Sequence, residues 1–235
     1  MPSFDALRGF GLSARDTILR RFMSWPKFQG LIETQTLYFS PASEFEDKRE
    51  GHYTNQDERE REAFLRKLGF SARELTMAAE ANAAVQKLNQ GPTVVSCWTE
   101  ETPENPRMWR DYGRSGEAVM IETTVGRLID CLGSDFLIVR VRYVDLERDK
   151  IPRGHSLLPF FYKDKKCFGW EKEVRIIGDM DQGALIGTPK KVPIKLGDLL
   201  TRVVVSPTAP SPFGETVKSL VERAISGLKV EYLKH

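Results

Sequence analysis

The chain has 235 residues, 40% hydrophobic and 29% charged, with a formal net charge of +2. This is the composition of a folded globular chain, and no apolar run approaches the length of a membrane span, so no membrane partner is expected. The near balance of charge gives no bulk electrostatic reason to expect nucleic acid or an acidic partner.

The predicted elements run as follows. Residues 1 to 16 read as a loose lead-in, and Met1 to Gly11 lacks the basic segment and apolar core of a secretory signal. Thr17 to Met23 reads as a first strand carrying Arg20 and Arg21. Ser24 caps a helix with Pro26 in its first turn and Phe28, Leu31 and Ile32 on one face. Thr36 to Ser40 reads as a strand stopped by Pro41. Residues 44–90 differ: Asp57 to Lys67 is dense in both charges, Ser71 and Glu74 form a capping box, and Ala72 to Leu88 favours helix. Strands then recur at Thr93 to Thr99, Glu117 to Glu122, Phe136 to Val144, Glu173 to Ile177, Leu200 to Val205 and Leu228 to Tyr232. Short helices fit Pro106 to Tyr112, Val125 to Leu132 and Leu157 to Lys163. A longer amphipathic one follows Ser211 and stops at Gly227. Without regular βαβ alternation, this order predicts an α+β fold. Its core is a mixed, mostly antiparallel sheet with flanking helices, forming one domain over residues 1–235 with a helical insertion at 44–90.

Cys97, Cys131 and Cys167 lie far apart, and His52, His155 and His235 do not cluster with them. Neither a disulfide framework nor a metal site is expected, and a reducing cytoplasm fits. Phosphate-loop motifs are absent.

The segment Trp170 to Ile177 carries the strongest site signal. On a strand, Glu171, Glu173 and Arg175 share one face and Val174 and Ile176 the other. Charges on one face of a central strand are costly to bury unless they pair or work. The plainer alternative is a solvated strand end. Ser96 beside Trp98 suits either a ligand cleft or a buried serine bonded to backbone. Trp109 and Tyr112 lie three apart on one helical face, with Arg110 between them; docking on the sheet is the alternative. An inward Arg20 or Arg21 needs an acceptor, a carboxylate such as Glu173 or a ligand phosphate.

Four pieces of the chain resemble the domain-of-unknown-function family 2971. They are Leu37 to Pro41 followed by Phe45, Ser96 to Trp98, Met108 to Gly113, and Lys166 to Arg175. The resemblance spans roughly residues 17 to 206. It departs after Phe45, where Glu46-Asp47-Lys48 replaces the family's Asn-Asp-Pro. It implies a bacterial protein with abortive-infection-like relatives, in phage defence or a toxin system. More distantly, Glu171-x-Glu173 resembles the Glu-x-Glu strand of ADP-ribosyltransferases that use an arginine, a serine strand and a glutamate in that order. Arg20 or Arg21, Ser96 and Glu173 follow that order here.

That resemblance implies NAD as a consumed nucleotide substrate and a macromolecular acceptor, nucleic acid being one candidate. Glu173 would be the catalytic carboxylate and Glu171 would orient the acceptor or a water. Ser96 and Arg20 or Arg21 would hold the cofactor, with Trp98, Trp109 or Tyr112 stacking the nicotinamide. Two alternatives stand beside it. One is a non-catalytic module recognising a nucleotide, nucleic acid or protein through Trp98, Trp109 and Arg175. The other is a metal-dependent nuclease built on Glu171, Glu173 and Asp111, ranked last because Lys172 falls on the wrong strand face. A cleft lined by Arg21, Ser96 and Glu173 favours the enzyme. Glu173 bonded to Arg175 or Arg110 in a filled core favours the module.

Overall fold

A computed structural model describes residues 7, 9–12, 14–113 and 116–233. Its core is a nine-stranded sheet in the order β11-β10-β4-β1-β3-β2-β9, with β8 and β5 branching from β3. The strands are β1 (Ile18–Ser24), β2 (Thr36–Pro41), β3 (Thr93–Thr99), β4 (Ala118–Thr124), β5 (Phe136–Arg140), β8 (Glu173–Asp179), β9 (Lys190–Pro193), β10 (Arg202–Val205) and β11 (Lys229–Tyr232). All pairs in it are antiparallel except β10 with β11. A separate parallel pair joins β6 (Arg142–Val144) and β7 (Tyr162–Asp164). The fold is α+β with a mixed, mostly antiparallel sheet and flanking helices.

The sheet forks at β3. Along one edge β3 pairs with β8 over all seven residues. On the other edge β1 meets only Thr99, while β2 meets only Val94 and Val95. Ser96 therefore lies in the gap between two departing strands. Arg21 fills that gap, its Nη1 donating to Ser96 Oγ at 2.9 Å and to the Tyr38 carbonyl of β2 at 3.4 Å.

Strand parity divides the core. One face carries Leu19, Met23, Val94, Trp98, Val119, Ile121, Val174, Ile176, Val203 and Val205. Against it pack α1 (Trp25–Thr34), α5 (Val125–Leu132), α7 (Leu196–Leu199) and α8 (Ser211–Ala224). In α8, Phe213, Val217 and Val221 recur at a spacing of four, the stripe that a sheet-packed helix needs. The opposite face is split between a cluster around Phe160, Phe161, Val139 and Ile177 and a smaller one around Phe22, Trp109 and Met120.

Between β2 and β3 run α2 (Asn55–Lys67) and α3 (Ala72–Gln90), each opened by a capping box, Thr54 with Asp57 and Ser71 with Glu74. The second was legible in sequence; the first hides an aspartate where the motif expects a glutamate or glutamine.

Several boundaries differ from expectation. The segment 136–144 breaks at Val141, whose N–H turns to the Glu173 carbonyl at 2.9 Å, so one expected strand becomes β5 and β6. The helix expected over 157–163 is a single 3-10 turn, Leu158–Phe161, followed by β7 and the short α6 (Lys165–Phe168). The Pro106 helix, α4 (Pro106–Met108), passes at once into a π turn, Trp109–Gly113. Helix α8 stops at Ala224, with Ile225 extended, before Gly227 is reached. The lead-in is held rather than loose where it is described. Leu7 is buried, Gly11 bridges Val139, and the Leu12 N–H donates to Ile138 at 2.7 Å. Residues 1–6, 8 and 13 of that lead-in lie outside the described set. Among the described residues no helix is long and apolar enough to cross a membrane.

Candidate functional site

Glu173 opens β8, and its register against β3 places it opposite Thr99, with Arg175 opposite Cys97. These four side chains share a face. Glu171 is not on the strand. Lys172 between the two glutamates adopts φ 43°, a left-handed conformation that is uncommon for a residue with a Cβ. The kink is held by the Thr99 hydroxyl donating to the Glu171 carbonyl at 2.5 Å and the Glu100 N–H donating to the Lys172 carbonyl at 3.1 Å. The two carboxylates still converge, but through this turn rather than through strand alternation.

They converge on Lys163 of β7. Its ammonium lies 2.7 Å from Glu171 and 3.1 Å from Glu173. Glu171 also accepts from the Tyr112 hydroxyl at 2.5 Å. Glu173 is held from behind by Arg175, whose Nε lies 2.9 Å from Oε1. The same guanidinium clamps Glu50 with both terminal nitrogens, at 2.5 and 2.9 Å, and donates to the Phe160 carbonyl at 2.7 Å. The Glu173 N–H donates to the Tyr143 hydroxyl at 2.8 Å. Glu171 and Glu173 are 4% and 5% exposed and Arg175 0%, so the chain is closed over this cluster.

Burial opposes ionisation of Glu173, but the Arg175 guanidinium and the Lys163 ammonium overcome it and hold the carboxyl down at about 2. Burial, reinforced by Glu171, pushes the Tyr112 hydroxyl far above its ordinary range, so it keeps its proton and donates a hydrogen bond to that carboxylate. Burial and the neighbouring Glu173 likewise keep Cys97 a protonated thiol.

The rim is aromatic and basic. The Tyr112 ring, on a residue 41% exposed, lies 6.5 Å from the Trp170 ring, and the Arg107 guanidinium stacks 3.7 Å over Trp170. Tyr112 belongs to the π turn, a helix irregularity that recurs at functional sites.

Of the residues singled out in sequence, Glu171, Glu173, Arg175 and Tyr112 are brought together. Arg21, Ser96 and Trp98 are brought together elsewhere: Ser96 pairs with Ile176 and so points to the opposite face from Glu173. There Ser96 Oγ accepts from Arg21 and, at 3.1 Å, from the Trp98 indole N–H. The expected single cleft lined by Arg21, Ser96 and Glu173 is therefore not formed, because Glu173 pairs with Thr99, an odd number of residues from Ser96, and strand alternation sends the two to opposite faces. Arg20 lies on the Glu173 face but is tied to Glu122 at 2.8 Å. Trp109 is core, packed edge-on against Phe22 at 4.8 Å with its N–H donating to the Pro103 carbonyl. Asp111 pairs with Arg107 and Arg110, not with the glutamates. Among the described residues no group of three or more His, Cys, Asp or Glu is placed to hold a metal ion. Glu50, Tyr143 and the central role of Lys163 were not legible. Lys163 reads in sequence as one of three lysines in a basic patch, and nothing around Glu50 marks it as buried.

No family model matches the chain, and no curated protein sequence does. The likeness to family 2971 thus rests on its quoted motifs. Among solved structures, DarT of Thermus sp. 2.9 in complex with ADP-ribosylated single-stranded DNA aligns over 93% of this chain and 95% of its own. Its TM-score is 0.44 and its identity 10%, too low to assign fold or activity.

Proposed function

We propose that the Glu171–Glu173 cluster receives the nicotinamide–ribose end of NAD and promotes ADP-ribosyl transfer. The carrying observation is charge. Three carboxylates, Glu50, Glu171 and Glu173, share two cations, Arg175 and Lys163, in a buried site. Counted as formal charges the cluster keeps one negative charge in a medium of low dielectric, while burial, against the pull of Arg175, holds the Glu50 carboxyl above its ordinary range. Such a site favours positive charge developing on a ribose as its bond to nicotinamide breaks. Glu173, ionised far below neutral pH, serves as a fixed anion rather than a proton donor. Glu171 is the carboxylate nearest the surface aromatics, and its hydrogen bond to Tyr112 must exchange for one to the ligand. Tyr112 and Trp170 offer flat surfaces for the nicotinamide. Arg107 at the rim and Lys172 between the glutamates, now paired with Asp111 and Glu101, would exchange those partners for a phosphate-bearing acceptor, nucleic acid included. The setting that the resemblance implies is phage defence or a toxin system acting in the cytoplasm.

Two observations favour a second reading, a non-catalytic nucleotide-binding module. The cleft of Arg21, Ser96 and Glu173 expected of the enzyme is not formed. Glu173 is bonded to Arg175 in a packed interior, as expected for a structural ion pair. Incubation with NAD separates the two. Nicotinamide release lost in Glu173→Gln supports the transferase, NAD binding without release supports the module, and release unchanged by Glu173→Gln defeats the assignment.

A further inference from the structure

Helix α3 is amphipathic in the reverse sense. Apart from Leu75 and Ala78, the side chains it packs inward are amides. Asn82 and Gln86 donate to Glu58 Oε1 at 2.9 and 3.4 Å, and Gln86 Oε1 accepts from the Tyr53 N–H at 3.0 Å. Met77, Val85 and Leu88 are instead 59%, 53% and 67% exposed, with Ala81 and Ala84 exposed between them. These five recur at helical spacing and form one stripe. The stripe continues past the helix end, where Ile186 sits against Gly91 (a Cβ there would lie 2.5 Å from its Cγ2) and both Leu185 and Ile186 are exposed. A helix that turns amides inward and Met, Ala, Val and Leu outward leaves its apolar face uncovered.

We propose that this face pairs with α3 of a second copy of the chain, antiparallel about a two-fold axis. Charge complementarity selects that occupant. Met77, Ala81, Ala84 and Leu88 alternate by four, three and four, the core positions of a coiled-coil seam. Antiparallel packing along that seam sets Met77 against the partner's Leu88 and Ala81 against the partner's Ala84, the small central pair letting the backbones approach closely. Glu80 and Lys87 each stand just before a core position, on the same flank. The same register therefore sets Glu80 beside the partner's Lys87, and two-fold symmetry repeats the pair. Both side chains are exposed, and neither has an ion-pair partner within the chain among the described residues. The helix has 19 residues and spans about 28 Å, so the pairing covers less than a standard interface and gives a dimer in exchange with monomer.

The test is sedimentation velocity of the full chain from about 1 to 300 µM at low salt. It compares wild type with Ala84→Glu, Glu80→Lys, Lys87→Glu and the double charge reversal. All these positions are exposed, so the variants keep the fold, which circular dichroism checks. The wild type is expected to pass from monomer to dimer across that range, and Ala84→Glu to stay monomeric. Each single reversal creates two like-charge pairs and should weaken dimerisation on the order of tenfold. The double reversal re-forms both pairs and should recover the wild-type dissociation constant. An equimolar mixture of Glu80→Lys and Lys87→Glu should do the same, because the mixed dimer sets every charge against its opposite. A wild type that stays monomeric throughout, a dimer indifferent to Ala84→Glu, or single reversals that neither weaken it nor rescue one another overturns the proposal. The transferase reading stands or falls separately, on nicotinamide release.

Discussion

Replacing Arg175 by methionine tests how the cluster is held together. The guanidinium makes five hydrogen bonds: two to Glu50, two to Glu173 and one to the Phe160 carbonyl. Methionine fills much of the volume but supplies none of them. Glu50 and Glu173 are then left buried, facing each other with only Lys163 nearby. Breaking a buried ion pair from one side costs about 3–5 kcal/mol, because the stranded charge is what is penalised. Against a total stability of roughly 5–15 kcal/mol that is a large fraction. For a chain of this length each kcal/mol moves the melting midpoint by about 2–4 °C, so Tm should fall by roughly 6–20 °C. Adding Glu50→Leu to Arg175→Met removes one stranded anion and should recover a substantial part of the loss, a coupling of about 1–3 kcal/mol. Acidifying the single variant from neutrality should narrow its deficit relative to wild type, since its unpaired carboxylates protonate more readily. Thermal unfolding followed by circular dichroism reads all three. An Arg175→Met melting point within two or so degrees of wild type, or no recovery in the double variant, refutes the view that this guanidinium neutralises a buried pair.

The remaining predictions concern single elements. Glu173 is held at about 2 when folded against an ordinary 4.5, so it contributes stability that is present above pH 4.5 and lost as pH falls toward 2. Chemical denaturation across that window should show the loss, on the order of 3 kcal/mol, and Glu173→Gln should flatten it. Tyr112→Ala removes both the Glu171 partner and the ring at the rim; if the ring receives nicotinamide, KM for NAD should rise roughly tenfold with kcat changed less, as steady-state kinetics would show. Thr54→Ala deletes the cap of α2 and one of the Asp57 contacts, and should destabilise by about 1–2 kcal/mol in urea melts.

The sequence carried the fold through its strongest periodicities. Val217, Leu220, Val221, Ala224 and Ile225 announced an amphipathic helix, and the β-branched runs at 93–99 and 173–177 announced two strands that pair with each other over seven residues. What it could not carry was anything decided by a partner distant in sequence. The 136–144 run looks continuous, yet Val141 bonds to Glu173 and splits it. The site divides in the same way. Glu171, Glu173 and Arg175 were legible because charges within an apolar run stand out. Ser96 was assigned to their cleft on chain order alone, and chain order is blind to the parity that sends it to the other face, into the fork filled by Arg21. Glu50, clamped by Arg175 across 125 residues, had no local signal at all.

The most direct measurement is nicotinamide release from NAD by the purified chain, wild type beside Glu173→Gln, with circular dichroism confirming that both are folded. The account predicts release by the wild type and its loss in the variant, with NAD binding retained. Release that persists in Glu173→Gln, or its absence from a wild type that binds no NAD, contradicts it.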